Sequence, residues 1–148
     1  MKTNQDNYFT RMQRGELPPP AISTTLGGAV RAVNLDAGTL ESDYLGVAAF
    51  LNPAGQVQGG LLSSMLDDVT ALLVTATLQE NQYCATLSLN VAFLRPALAG
   101  PLLGRAILTR RGREVCNVNG ELWQADKLIA TATAVCMVVK KAMQRCAA

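Results

Sequence analysis

Between residues 52 and 68 the chain reads Asn-Pro-Ala-Gly-Gln-Val-Gln-Gly-Gly-Leu-Leu-Ser-Ser-Met-Leu-Asp-Asp, and this stretch holds the groups best suited to chemistry. Gly59 and Gly60 open a long segment of helical periodicity. Two glycines at a helix start leave backbone N–H groups uncovered, with the positive end of the helix dipole behind them. Such donors suit a developing oxyanion. Asp67 follows about two turns later, on a stripe of small or polar residues with Gly60, Ser63, Ser64, Thr70 and Ala71. Small neighbours leave room for a ligand beside a carboxylate. The same residues also have a purely structural reading, in which the glycines let helix and strand pack closely and both aspartates are solvated. Asp68 reads as a helix-surface charge rather than a catalytic group.

Other chemistries are narrowed by what the sequence lacks. There is no histidine, which removes Ser-His-Asp and Cys-His arrangements, His-based metal sites and a His general base. No nucleophile elbow, P-loop or dinucleotide-binding glycine motif occurs. Cys84, Cys116, Cys136 and Cys146 form no C-x-x-C pair, so no metal or redox site is expected. Cys116 and Cys136 sit in apolar runs and read as buried small hydrophobes. Arg110, Arg111 and Arg113 cluster around Gly112. They read either as a solvated hairpin or as forks for phosphate groups. Arg95 before Pro96 is a weaker phosphate candidate, and Lys140, Lys141 and Arg145 read as a polar tail.

These groups need a scaffold, and the periodicity supplies one. Residues 59–78 form the one long helical pattern, with Leu61, Leu62, Met65, Leu66, Val69, Leu72, Leu73 and Ala76 on its apolar face. Before it, 26–35 and 39–47 read as strands joined at Asp36-Ala37-Gly38, with Leu40, Ser42 and Tyr44 sharing one face. Asn52-Pro53-Ala54-Gly55 is turn chemistry. After the helix, 85–94, 101–109, 114–124 and 128–139 alternate with period two and are joined by short loops, which makes neighbours antiparallel. Residues 4–16 suit a short helix capped by Asn4 or Asp6, with Tyr8, Phe9 and Met12 on one side. Gly15 and the extended Pro18-Pro19-Pro20 run end it. That segment either packs its aromatics on the main domain or forms a flap over a ligand site. One helix segregated on an antiparallel sheet is an α+β arrangement.

At 148 residues, the chain suits one core. A net charge of +2 and 16% charged residues exclude a disordered tail and point away from nucleic acid. The apolar stretches are interrupted before 18 residues, so no membrane segment is expected. No apolar leader follows Met1, and a reduced, cytoplasmic setting is expected.

The pattern Asn52-x2-Gly55-x2-Gln58-Gly59-Gly60-x6-Asp67 resembles the signature of hotdog-fold acyl-CoA thioesterases of the phenylacetate-pathway (PaaI-like) type. Thr86, the Asn90-to-Pro96 segment and the Gly112-Arg113 turn extend the resemblance, which runs from about Leu26 to Val139. It implies a hotdog fold, a long central helix wrapped by an antiparallel sheet, over residues 26–148. An N-terminal helix and proline-rich segment, 1–25, precede it. It implies hydrolysis of an acyl-CoA thioester at the interface of a homodimer or homotetramer, with no cofactor beyond the CoA of the substrate. Asp67 matches the catalytic acid, as nucleophile or as base for water. Gly59 matches the residue whose N–H polarises the carbonyl, and Asn52 the residue that orients water or the carboxylate. Thr86, contributed by the partner subunit, matches the hydroxyl that positions water. Gly60 joins Gly59 as a substrate-binding candidate, and with a CoA substrate the phosphates are the groups that Arg111 and Arg113 would pair with. Gln58 stands where the family often has histidine; it can hydrogen-bond but cannot take a proton. Phe50, Met65, Leu66 and the N-terminal segment are expected to shape the acyl pocket. A non-catalytic acyl-CoA or small-ligand binding protein and a purely structural oligomer are the alternatives. A hotdog dehydratase is disfavoured by the missing histidine.

Overall fold

Gly59–Ala76 form the long helix, α3, as its apolar periodicity demands. The computed structural model describes residues 6–142. Leu62, Met65, Leu66, Val69, Leu73 and Val74 are all buried, and full burial of each such side chain stabilises by about 1.5–3 kcal/mol. By length and composition alone α3 would also suffice to cross a bilayer, although the sequence led to no such segment. It is instead the core helix, pressed against the sheet. One close approach is at Gly120, where an added Cβ would lie 3.0 Å from Thr70 Cγ2 and 3.2 Å from Leu66 Cδ2.

Six strands wrap this helix: β1 (Ala29–Asn34), β2 (Thr39–Gly46), β3 (Gln82–Phe93), β4 (Gly100–Arg111), β5 (Val115–Gln124) and β6 (Lys127–Lys140). They pair in the order β1-β2-β4-β5-β6-β3, antiparallel throughout. The expected helix-on-sheet arrangement is therefore the one adopted, with strand limits shifted by a few residues. β4, β5 and β6 follow one another through short turns, whereas the chain reaches β3 directly from α3 and lays it on the far side of β6. That leaves β3 as one edge of the sheet.

The N-terminal segment departs from expectation in two places. Helix α1 (Tyr8–Gln13) is capped by Asn7 rather than Asp6, because Asn7 and Thr10 close a reciprocal capping box; Asn4 lies outside the described residues. The Asn7 amide also donates to the carbonyls of Ala76 (3.3 Å) and Leu78 (2.7 Å), satisfying carbonyls left open at the end of α3. After the prolines a second short helix, α2 (Ala21–Thr25), forms against α3. Phe9 is buried and Met12 is packed on the core, in line with the docked-helix reading.

Candidate active site

The turn that leads into α3 is built by Asn52. Its side-chain oxygen accepts from the backbone N–H groups of Ala54 (3.0 Å) and Gln56 (3.1 Å), and Gly55 takes the left-handed conformation (φ +76°) that closes it. Gln58 is the N-cap, and its carbonyl accepts from Leu61 and Leu62. The N–H groups of Gly59 and Gly60 have no partner among the described residues. Both glycines are also closely approached by side chains. A Cβ on Gly59 would sit 3.1 Å from the Phe93 ring, and one on Gly60 would sit 2.7 Å from Gln58 Oε1. Gln58 therefore lies over Gly60, and Gly59 lines an open cleft of about 510 Å³ together with Asn52, Phe93 and Arg95.

Asp67 is elsewhere. It is half-buried, and its Oδ1 accepts a 2.8 Å hydrogen bond from Thr86 Oγ1 on β3 of the same chain. Thr86 thus reaches Asp67 without a partner subunit, which corrects the expectation that it arrives from one. Asp67 opens onto a cavity of about 440 Å³ whose walls include Tyr8, Ile22, Ser64, Leu72, Tyr83 and Cys84. Gly59 and Asp67 are eight residues apart on one straight helix, or about 12 Å. Within a single chain, then, Gly59 and Asp67 line different cavities.

The helix stripe is also narrower than the sequence suggested. Thr70 is fully buried against Gly120, and its hydroxyl donates to the Leu66 and Asp67 carbonyls. Asp68 is not solvated: it is only 8% exposed. Ser23 Oγ donates to its Oδ1 and the Tyr44 hydroxyl to its Oδ2, each at 2.7 Å. Burial pushes the Asp68 carboxyl above the usual range, opposed by these two donors and reinforced by the neighbouring Asp67 charge. Burial also holds the Tyr44 hydroxyl protonated as a donor. Tyr44 reaches Asp68 because Gly104 makes room for its ring, 2.7 Å from where a Cβ would stand. A strand-face pattern that places Tyr44 inward was the available signal; the partner for its hydroxyl was not.

Met65 and Leu66 belong to the core and not to a ligand wall. Phe50 is half-buried against the same core. Arg111 is engaged inside the molecule: Nε donates to Thr77 Oγ1 (2.9 Å) and Nη1 to the Gly112 carbonyl. Arg113 is exposed in the turn, and Arg95 donates to the Leu128 carbonyl at 2.8 Å. Cys116 and Cys136 are buried opposite one another on β5 and β6, as expected. The Cys84 thiol donates to Cys136, which pushes Cys84 up and draws Cys136 down. Cys146 and Arg145 lie outside the described residues. Among the described residues, no group of three or more acids and cysteines is placed to hold a metal ion.

Residues 50–137 match the family model of the acyl-CoA thioesterase N-terminal domain. Among solved structures, the phenylacetic acid degradation-related protein of Ralstonia eutropha JMP134 is 68% identical, with a TM-score of 0.88 over 88% of this chain and 99% of that one. The PaaI protein from the phenylacetic acid degradation operon of E. coli is 19% identical, with a TM-score of 0.78 over 90% of this chain and 94% of that one. A thioesterase of Haemophilus influenzae is 19% identical, with a TM-score of 0.77 over 85% and 87%. The last two show the shared hotdog fold. No curated protein is significantly similar to the chain.

Proposed function

The chain belongs to the acyl-CoA thioesterase family and hydrolyses acyl-CoA thioesters, and from this we propose that Asp67 is the catalytic acid of a site shared between two copies. The observation that carries the reading is the separation just described. The Asp67–Thr86 pair and the uncovered Gly59 N–H lie too far apart to act on one carbonyl within a chain, and a second copy can supply the missing half.

β3 offers the means. It is an edge strand with unpaired backbone groups, and edges of this kind are templates for pairing. It also carries Leu87, 59% exposed, and Phe93, 53% exposed. Antiparallel pairing of β3 with its own copy, about a twofold axis near Leu89 and Asn90, sets Phe93 of one copy beside Thr86 of the other. Phe93 packs on Gly59 and Thr86 binds Asp67. The pairing therefore brings Gly59 of the partner subunit toward Asp67. A homodimer is the minimal unit, and a tetramer is two of these.

The chemistry follows from the groups. The partner's Gly59 N–H polarises the thioester carbonyl and holds the oxyanion as it forms. Thr86 occupies Asp67 Oδ1, leaving Oδ2 to draw a proton from water or to add to the carbonyl carbon. The tetrahedral intermediate collapses, the C–S bond breaks, and CoA leaves as the thiolate. When Asp67 is the nucleophile, water then hydrolyses the acyl-aspartate. Asn52 fixes the turn that presents Gly59, and Gln58 contributes hydrogen bonds without proton transfer. Arg113 is the candidate for CoA phosphates. A non-catalytic acyl-CoA binding protein would share this architecture. Steady-state hydrolysis of aryl, short-chain and long-chain acyl-CoAs by the wild type and by Asp67→Asn tests the reading: turnover that survives Asp67→Asn overturns it.

A further inference from the structure

We propose that Asp68 is a positioning residue: it anchors residues 18–25 as the wall of the Asp67 cavity, and that wall restricts the enzyme to compact acyl groups. The inference rests on the catalytic reading of Asp67.

Asp67 and Asp68 are adjacent, so their side chains leave α3 about 100° apart. Both side chains border the cavity, and Asp68 is in addition held under α2. Both Asp68 oxygens are taken, one by Ser23 of α2 and one by Tyr44 of β2. Burying a carboxylate is costly, and an apolar side chain would fill the same space without that cost. What the acid provides is a directional attachment between α2 and the helix that carries Asp67. Ser23 is itself buried, although its neighbours Ile22 and Thr24 are exposed. Ser23 supplies the side-chain hydrogen bond that attaches this five-residue helix, which has no side-chain N-cap and whose C-cap, Leu26, is buried in the core.

Two residues just before Ser23 face the cavity. Pro20 and Ile22 line it together with Tyr8, and the Tyr8 hydroxyl donates to the Pro18 carbonyl at 2.7 Å, tying α1 to the proline run. Ile22 is 50% exposed at the rim. Behind the same segment lies a second cavity of about 240 Å³, lined by Pro19, Ser23, Gly28 and Val30. Pro20 and Leu72 border both cavities. Pro20 and Leu72 thus stand between the two cavities and end the acyl side of the proposed site. An acyl group that stops at Leu72 fits, whereas a long straight chain must push Pro20 aside.

The test measures kcat and KM for benzoyl-CoA and dodecanoyl-CoA in the wild type and in Ser23→Ala, Ser23→Thr, Ile22→Ala, Asp68→Asn and Asp67→Asn, with Tm recorded for each. The wild type is expected to favour benzoyl-CoA in kcat/KM. Ser23→Ala, Asp68→Asn and Ile22→Ala should lower the benzoyl-to-dodecanoyl ratio by about tenfold, mainly through KM, the scale on which apolar pocket contacts discriminate. Ser23→Thr, which keeps the hydroxyl, should preserve the ratio. A ratio unchanged in Ser23→Ala and Ile22→Ala, with only Tm lowered, overturns the proposal, as does a wild type that favours dodecanoyl-CoA. Full turnover by Asp67→Asn would instead overturn the catalytic reading. Because the ratio and the Asp67→Asn rate are separate measurements, the two failures are distinguishable.

Discussion

Thr86 Oγ1 donates a 2.8 Å hydrogen bond to Asp67 Oδ1, joining the middle of α3 to the edge strand β3 within one chain. The pair forms within a single chain. It holds one carboxylate oxygen and orients the other, and it places the candidate catalytic acid beside the strand whose edge is open. Folding and site construction meet at this contact.

Asp67→Asn should leave the fold intact, because the side chain is only half-buried and the amide can still accept from Thr86. Its kcat should fall by about a thousandfold or more, the loss expected when a nucleophile or base is removed. Circular dichroism with steady-state kinetics checks both halves of this expectation.

Thr86→Ala should lower kcat by about 10–100-fold, since a hydrogen bond to a charged group contributes about 1.5–3 kcal/mol. Thr86→Ser should keep most of the activity because it retains the hydroxyl. Equal losses in the two variants would assign Thr86 a packing role only.

Mixing inactive variants distinguishes the assignments of chains to sites. With Asp67 and Thr86 on one chain, Asp67→Asn and Thr86→Ala subunits should not rescue one another. Asp67→Asn refolded with Gly59→Val should recover roughly a quarter of wild-type activity, because half of a random twofold mixture is heterodimer with one intact site. A monomer in sedimentation at micromolar concentration would contradict the shared site.

Asp68 should leave a signature in stability against pH. Its folded pKa is raised, chiefly by burial. Between the unfolded value near 3.9 and the folded value, the native state holds the proton more tightly. The stabilising contribution is therefore complete below the unfolded pKa and is lost as pH rises through the folded one. Acidifying from neutrality toward about pH 4.5 should stabilise the wild type relative to Asp68→Asn. Urea denaturation of the two proteins across that range measures the difference, and parallel curves would refute it.

Arg111 and Arg113 should separate. Arg111→Ala breaks the bond to Thr77 at the end of α3 and should cost about 1 kcal/mol of stability. Arg113→Ala should raise KM for acyl-CoA with kcat nearly unchanged, because a phosphate contact remote from the carbonyl binds ground and transition states alike. Added salt should weaken wild-type binding more than that of the Arg113 variant.

The sequence by itself determined the elements and their sides. The 3.6-residue period of 59–78 and the alternation of the later strands are local properties, as is the turn chemistry of Asn52 and Gly55, so helix, strands and loop are legible without a fold. Motif spacing likewise marked Asp67, Gly59 and Thr86. Tertiary structure alone decided the rest, because each remaining fact depends on residues far apart in the chain. Asp68 reads as a surface charge in the sequence because its neighbours on α3 do not reveal Ser23, 45 residues earlier, or Tyr44, 24 residues earlier. Thr86 joined its own chain's Asp67 because β3 lies beside β6 and under α3, an ordering that period-two alternation cannot specify. Arg111 turned inward because Thr77, at the C-terminal end of α3, offered its hydroxyl. The separation of Gly59 from Asp67 is the reverse case. The helical rise puts them about 12 Å apart, but only the fold shows that they line different cavities and that β3 is an edge strand.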